Sequence, residues 1–453
     1  MLLMAGSKDT LRSLMISMFF GAAMSGCVSP YVLVTFLHDF QASPMLISGL
    51  QVILQASMLM ALPGAILLSN INPKRGTILC ILLGRTFLIV LPIMLLVPNC
   101  GSAVPYVTLF LFGFMGLANS ATGASTNVWF KQIIPSSILG RFLGKRNAIS
   151  FLVMAFLTPV IGYILDHSEG WHCDRVMLYA GIFSLGCVCG MLDLYYLNQA
   201  GDCRMPIQRT AGDLLRELKG AFRTVGFWQL SLFSVVPAMG VTILAPYLVL
   251  IYYDFGLSRF QIGMITAIST LGMGIGAVKG GQYADRHRVN LRTVFAMFSF
   301  GMVGLQAVLL ALFLARGYAL ISPTILFIGL LAATTALSMM QGQVLSVYTR
   351  LMLDSVPDGS TIAFGFVGFV ANVLALIASA SSSAVGMMFI TRTAWLRKNV
   401  WGEFHYAYAL FAIAIVLGVA GGFWIRYLAK RDLSKPPVPL FNVGVFRRIS
   451  STV

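Results

Sequence analysis

The densest chemistry in this chain lies in the stretch GGQYADRHRVNLRT, residues 280–293, where Asp285, Arg286, His287, Arg288 and Arg292 crowd into eight positions. Just upstream come Gly272, Gly274, Gly276, Gly280 and Gly281. Glycines at this density let a neighbouring helix approach closely where no hydrophobic effect drives association. An acid at such a turn can accept from the free N–H groups at the positive end of a neighbouring helix. Arginines beside it anchor the turn among anionic headgroups. Gly281, Asp285, Arg286, Arg288 and Arg292 therefore read as a latch, a contact made in one arrangement of helices and broken in another. A second basic turn, NINPKR at 70–75, offers Lys74 and Arg75, and the stretch FKQIIPSSILGRFLGKR offers Arg141 and Arg146. The bland alternative is a basic loop with a turn-forming aspartate.

These charges interrupt a chain that is otherwise apolar. Of 453 residues, 58% are hydrophobic and 10% charged, against about a quarter charged in a soluble domain. Lipid is the solvent such a composition expects. The net charge of +16 does not point to nucleic acid, because the basic residues lie between apolar runs and form no continuous face. Anionic lipid of the bilayer is the simpler partner.

Twelve apolar runs reach spanning length, ~20 residues. They fall at 12–37, 44–69, 76–97, 105–127, 146–165 and 176–197, then at 227–253, 259–283, 291–314, 321–345, 361–391 and 404–428. The expected fold is all-α and integral to the membrane, with twelve transmembrane helices in two pseudo-symmetric six-helix bundles. The expected organisation is an N-terminal bundle at 1–197, a cytoplasmic central loop at 198–226, a C-terminal bundle at 227–431 and a flexible cytoplasmic tail at 432–453. Within the loop, DLLRELKGAFRTVGF carries leucines at helical spacing and reads as an interfacial amphipathic helix. With both termini cytoplasmic, 23 of the 31 Lys and Arg lie on the cytoplasmic side and six outside, a strong positive-inside signal for the cell (plasma or inner) membrane. The halves also repeat: FQASPMLISGLQVILQA from Phe40 aligns with FGLSRFQIGMITAISTL from Phe255 at a constant shift.

The charged turns and the twelve runs in two halves resemble the major facilitator superfamily. That family carries a Gly-x-x-x-Asp-Arg-x-Gly-Arg-Arg type signature after the second span of each half. Gly281, Asp285, Arg286, Arg288 and Arg292 follow it in the second half, with Arg288 in place of the second glycine. In the first half Asn70 replaces the acid and Pro73 the glycine. The resemblance implies a transporter that rocks one half against the other around a midplane cavity. It also implies that spans one, four, seven and ten line that cavity, with contributions from two, five, eight and eleven. Mid-depth polar residues there are Tyr31, Gln51, Gln55, Asn119, Thr122, Tyr247, Thr266, Thr270, Thr335, Gln341 and Asn372. Gln51 and Gln55 share one helix face. The pairs Pro30–Tyr31 and Pro246–Tyr247 stand at like places on spans one and seven. Interhelical hydrogen bonding is the competing reading for each residue singly.

An ionisable group inside the bilayer is a functional hypothesis by default. Arg85 lies ~14 Å into span three at 1.5 Å per residue, at the limit of snorkelling. Its functional reading is as partner of a substrate anion or of a proton site. Asp193 is expected near the cytoplasmic end of span six, within reach of solvent. Cys100 and Cys173 both fall on expected outside loops, where a disulfide is conceivable.

No phosphate loop, zinc helix motif or nucleophile elbow is present, so neither an enzyme nor a cofactor is expected. The favoured function is a secondary active or facilitative transporter, expected to be monomeric, of a small polar or amphiphilic solute, with a coupling ion, proton or sodium, or none. The alternative is a transporter-like membrane sensor or assembly protein that binds a ligand without moving it.

Overall fold

The computed structural model describes residues 2–97, 103–134, 136–168, 174–202, 210–223, 243–244, 247–286, 291–355, 361–392 and 405–432. Within these the secondary structure is helical throughout, and eleven helices are long and apolar enough to cross a membrane. The run expected as span seven is described only at 243–244 and from Tyr247, with a helix at Leu248–Asp254. The tail beyond Asp432, Arg397, Lys398, His287, Arg288 and both Cys100 and Cys173 lie outside the described residues. The face at which the first helix begins is called proximal below, and the opposite face distal.

Several helices begin by one local rule. Ser29, Ser43 and Asn72 each cap a helix whose first residue is a proline, Pro30, Pro44 and Pro73. Each cap side chain accepts from a main-chain N–H of the first turn, and proline at that position loses no bond it would have made. Pro63 and Pro92, deeper in their spans, break them about one turn earlier, because the ring displaces the carbonyl four residues back, whereas Pro159 lies inside the unbroken helix of span five. Span two is thus Pro44–Ser57 and Ala61–Leu67 around a short tight turn at Met58–Met60, ahead of Pro63. Span three is Pro73–Leu88 and Val90–Leu95, broken ahead of Pro92. Span one is two helices, Leu2–Cys27 and Pro30–Asp39, so the chain is non-helical at Val28 and Ser29 in the middle of the membrane.

Spans four (Val104–Ile133), five (Ser136–Asp166) and six (Arg175–Gln199) complete the first half. The second half has spans eight (Arg259–Arg286), nine (Leu291–Gly317), ten (Pro323–Ser355), eleven (Thr361–Arg392) and twelve (His405–Asp432). Span one packs on five and six, span three on four, span eight on ten, and span nine on ten and twelve. The halves meet along two seams, span five with eight and span two with eleven.

The glycines of span eight serve two neighbours. A Cβ on Gly272 would lie 2.8 Å from the Thr335 carbonyl, one on Gly280 2.6 Å from Gln343 Cα, and one on Gly276 inside the Met339 backbone. That face, repeating every four residues, holds span ten of the same half. Gly263 meets the Thr158 carbonyl at 2.9 Å and Gly274 meets the Phe151 ring at 3.1 Å, so the opposite face holds span five across the seam. Gly281 has nothing within 4 Å of a built Cβ.

The amphipathic helix in the central loop is Ala211–Arg223, opened by a reciprocal cap in which the hydroxyl and main-chain N–H of Thr210 donate to the Asp213 carboxylate. Its apolar face departs from the lipid interface expected of it. Leu214 and Leu218 pack on a cluster of Leu62 from span two with Ile362, Phe366, Val367 and Val370 from span eleven. An apolar face finds the same water exclusion on protein as on lipid, and the proximal end of the seam supplies it.

Gly276→Val is expected to lower the thermal stability of the detergent-purified protein by about 1–3 kcal/mol, the range for overpacking. Gly281→Ala, in open space, is expected to be neutral or slightly stabilising by the same thermal-unfolding measurement.

Candidate functional site

Two interior charges meet each other in the first half. Arg85 is only 7% exposed, as is Asp193, and the two form an ion pair between spans three and six. Arg85 also donates to the Gly190 carbonyl, and Ser17 of span one donates to the other oxygen of Asp193. Asp193 is therefore interior, not within reach of solvent as its sequence position suggested. The reason is local: a Cβ at Gly21 would stand 2.8 Å from the carboxylate, and one at Gly190 3.3 Å from the Arg85 chain. Two missing side chains open the slot in which the pair closes. Their sequence signal was the placement of Gly190 three residues before Asp193, on the same helix face.

The pair forms one wall of a cavity of about 220 Å³ inside the first half. Span four contributes Asn119 and Phe130, and span five contributes Arg146 and Ser150. The Arg146 guanidinium stands 5.1 Å from the centre of the Phe130 ring, and its Nε is 3.2 Å from the Met18 sulfur. Arg146, read in the sequence as part of a proximal latch, thus faces an interior cavity together with Arg85 and Asn119.

A second charge cluster ties the two halves at the distal face. Arg259, first residue of span eight, places Nη2 2.5 Å from Oδ1 of Asp39, last residue of span one. Its Nη1 lies 3.6 Å from Oδ1 of Asp166, last residue of span five. The other oxygen of Asp166 accepts from the Phe260 main-chain N–H at 2.7 Å, capping the positive end of span eight. Tyr179 donates to Asp39 at 2.8 Å. Tyr31 donates to the Arg259 carbonyl at 2.7 Å, and Tyr253 to Thr35 at 2.9 Å. The chemistry foreseen for Asp285, an acid on a helix N-terminus across the halves, is realised here by Asp166. Neither Asp39, Asp166 nor Arg259 was singled out in the sequence. Their signal was position, each ending or opening a span on one face.

Of the expected cavity residues, Tyr31 and Tyr247 are buried, and each hydroxyl donates to a main-chain carbonyl, of Arg259 and of Ser383. Ser383 of span eleven also shares a hydrogen bond of 2.8 Å with Ser48 of span two. Thr122, Thr266, Thr270 and Thr335 donate back to their own helices. Asn372 of span eleven donates at 3.1 Å to the Met58 carbonyl, which also accepts from the Ala61 N–H in the turn of span two and from Ser120 of span four at 2.9 Å. Gln51, Gln55 and Gln341 are half-buried. Asn119 joins Arg85 at the 220 Å³ cavity, whereas the remaining candidates do not line it.

At the proximal turns, Lys74 donates to the Ala200 carbonyl at 2.7 Å and to Asp202 at 2.8 Å, a tie within the first half. That hydrogen bond holds the Asp202 carboxyl below its usual range. Arg75 is exposed. The side chains of Asp285, Arg286, Arg292 and Arg141 lie outside the described residues.

Broken spans, glycine-packed seams and charge ties across two halves define a polytopic transporter fold rather than an enzyme. The sequence signature of the Major Facilitator Superfamily matches residues 14–379, and the chain belongs to that family. A point mutant of the nucleoside transporter NupG is similar at a TM-score of 0.66 and 11% identity, over 92% of this chain and 99% of that one. A bacterial homologue of the human lysosomal transporter Spinster, inward-facing and unoccupied, is similar at 0.63 and 14% identity, over 94% and 97%. A D-xylose–proton symporter is similar at 0.61 and 12% identity, over 92% and 96%. No curated protein matches the sequence.

Asp193→Asn leaves Arg85 buried without its counter-charge and is expected to cost about 3–5 kcal/mol. The double variant Arg85→Gln with Asp193→Asn is expected to recover most of that loss in thermal unfolding. Arg259→Gln removes the distal tie; thiol labelling of a cysteine placed at His38 is expected to quicken about tenfold, the effect of ~1.4 kcal/mol.

Proposed function

We propose that this chain moves a small polar or amphiphilic solute across the cell membrane by rocking its N-terminal bundle, residues 1–197, against its C-terminal bundle, residues 227–431. Both termini and the 198–226 loop face the cytoplasm in this reading, which rests on the asymmetry of Lys and Arg. The observation that carries it is that, among the described residues, the polar ties between halves other than Asn372 to Met58 lie toward the distal face. Asp39, Asp166, Tyr31, Thr35 and Ser48 meet Arg259, Phe260, Tyr253 and Ser383 in the distal part of the membrane. A seal of that kind closes one face while the other admits solute, and its breakage is half of an alternating-access cycle.

In this reading the solute path runs along spans one, four, seven and ten, with contributions from two, five, eight and eleven. Gln51, Gln55, Asn119 and Gln341 are the groups best suited to hold it, since amides can donate and accept at once. Thr122, Thr266, Thr270 and Thr335 keep free lone pairs, Asn372 and Tyr31 are released when the ties between the halves open, and Tyr247 stays bonded to Ser383 within its own half. At the break the Val28 and Ser29 N–H groups donate to the Met24 and Gly26 carbonyls and the Ser29 carbonyl accepts from Leu33, so it serves as a bend in span one; a coupling proton or sodium ion, if one is used, would meet the side chains named above. The similar proteins move nucleosides and xylose, and the breadth of that pair matches a fold that does not itself select the solute. The proximal turn of Gly281, Asp285, Arg286, Arg288 and Arg292 acts as the counter-latch that closes the cytoplasmic face.

Purified protein in proteoliposomes is expected to give saturable counterflow of at least one solute from a panel of sugars, nucleosides and organic acids. Binding of a solute with no flux in either direction would overturn the proposal. Asp285→Asn is expected to raise thiol accessibility on the proximal face without loss of membrane insertion, and unchanged accessibility would remove the counter-latch.

A further inference from the structure

The cavity behind spans one and four carries more positive charge than it balances. Its walls hold two guanidinium groups, Arg85 and Arg146, and one carboxylate, Asp193. Asp193 is already engaged on both oxygens, by Arg85 and by Ser17. Arg146 lies against a thioether, a weak acceptor, and over an aromatic ring. Among the described residues no carboxylate or carbonyl oxygen accepts from it. Arg146 is half-buried, and the one carboxylate that acts on it, Asp193, is already closed on Arg85 and Ser17; an arriving anion supplies the balance that Asp193 does not.

We propose that this cavity is a subsite for an oxyanion, a carboxylate or phosphate group carried by the transported solute, with Arg146 as its principal ligand. The proposal rests on the transport reading above and narrows its solute class. A guanidinium fork matches the two oxygens of a carboxylate or phosphate, which an ammonium or an amide does not. Neutral groups complete the lining: the Asn119 amide, the Ser150 hydroxyl and Thr126. The volume of about 220 Å³ equals roughly seven waters at ~30 Å³ each, enough for an anionic head and a few attached atoms. The rest of a larger solute would extend past Asn119, the one residue shared by this cavity and the expected central path. Arg85 and Asp193 act as positioning residues: their closed pair keeps Asp193 from capturing Arg146 and so leaves Arg146 available.

The test uses the full-length protein in detergent and measures thermal shift with inorganic phosphate, glycerol phosphate and benzoate, against glycerol and benzamide as uncharged counterparts. At least one oxyanion is expected to raise the unfolding temperature saturably, with no response to its neutral counterpart. Arg146→Gln is expected to weaken that response by about tenfold or more, the loss of a charge-assisted hydrogen bond. Arg146→Lys is expected to retain part of it. Ser150→Leu fills the cavity without changing charge and is expected to abolish the response, which serves as the second variant if Arg146→Gln does not fold. Equal responses in wild type, Arg146→Gln and Ser150→Leu would overturn the proposal, as would no response to any oxyanion. Repetition in nanodiscs with and without phosphatidylglycerol separates a lipid headgroup from a free solute. A response to free oxyanion that disappears only when anionic lipid is present assigns the cavity to lipid and overturns the proposal. Counterflow of a neutral solute that is the same in wild type and Arg146→Gln leaves the transport reading standing while removing this one. Oxyanion binding without counterflow of any solute does the reverse.

Discussion

A charge removed from water must be met by an opposite charge or by oriented dipoles, and in this chain that requirement decides where helices end and how they pair. With 10% charged residues, few positions inside the spans carry charge at all. Two sets of them are placed in company. Arg85 and Asp193 neutralise each other inside the first half, in a slot that Gly21 and Gly190 keep open. Arg259 answers Asp39 and Asp166 from the other half. The first pair lies within one half and the second joins the two halves. In the proposed cycle the first stays closed as a strut and the second opens as a tie.

Close approach of backbones is the complementary constraint. Without a hydrophobic drive between helices in lipid, packing depends on small residues. Span eight carries two glycine faces, one holding span ten of its own half and one resting on span five of the other. The first joins span eight to its own half; the second is the surface on which the proposed rocking would turn. Span eleven plays the same part against span two, where Gly365 lies over Ala61 and Ala65. The central-loop helix covers the proximal end of that seam with Leu214 and Leu218, so the covalent linker between halves is also a packing element.

Much of this fold was legible beforehand, because its signals are local. Apolar runs of spanning length mark the helices, whereas the starts at Pro30 and Pro73 were not read, although serine or asparagine before proline is as local a signal. The breaks were less legible: Pro63 and Pro92 act on residues one turn earlier, so the gap falls in sequence that looks uniformly helical. Pairings of residues far apart were not legible at all. Arg85 was visible as a buried cation, yet its partner stands 108 positions away and looked solvent-accessible by depth alone. Arg259, Asp39 and Asp166 read as ordinary loop charges, because nothing in a single sequence says which span ends converge. Conversely, the glycines before Asp285 were read as one surface for one latch. Helical phase divides them, and Gly272, Gly276 and Gly280 belong to a contact within one half.

The account stands on the two bundles moving as bodies about seams that stay packed while the distal tie opens. Distances between spin labels at Met45 and Leu320 on the distal face, and at Arg75 and Gln282 on the proximal face, test this directly by pulsed double resonance. The expected result is two populations in opposition, the distal distance lengthening as the proximal one shortens, with Arg259→Gln enriching the distal-open population. A single unchanging distance for both pairs, in wild type and in Arg259→Gln alike, would contradict it.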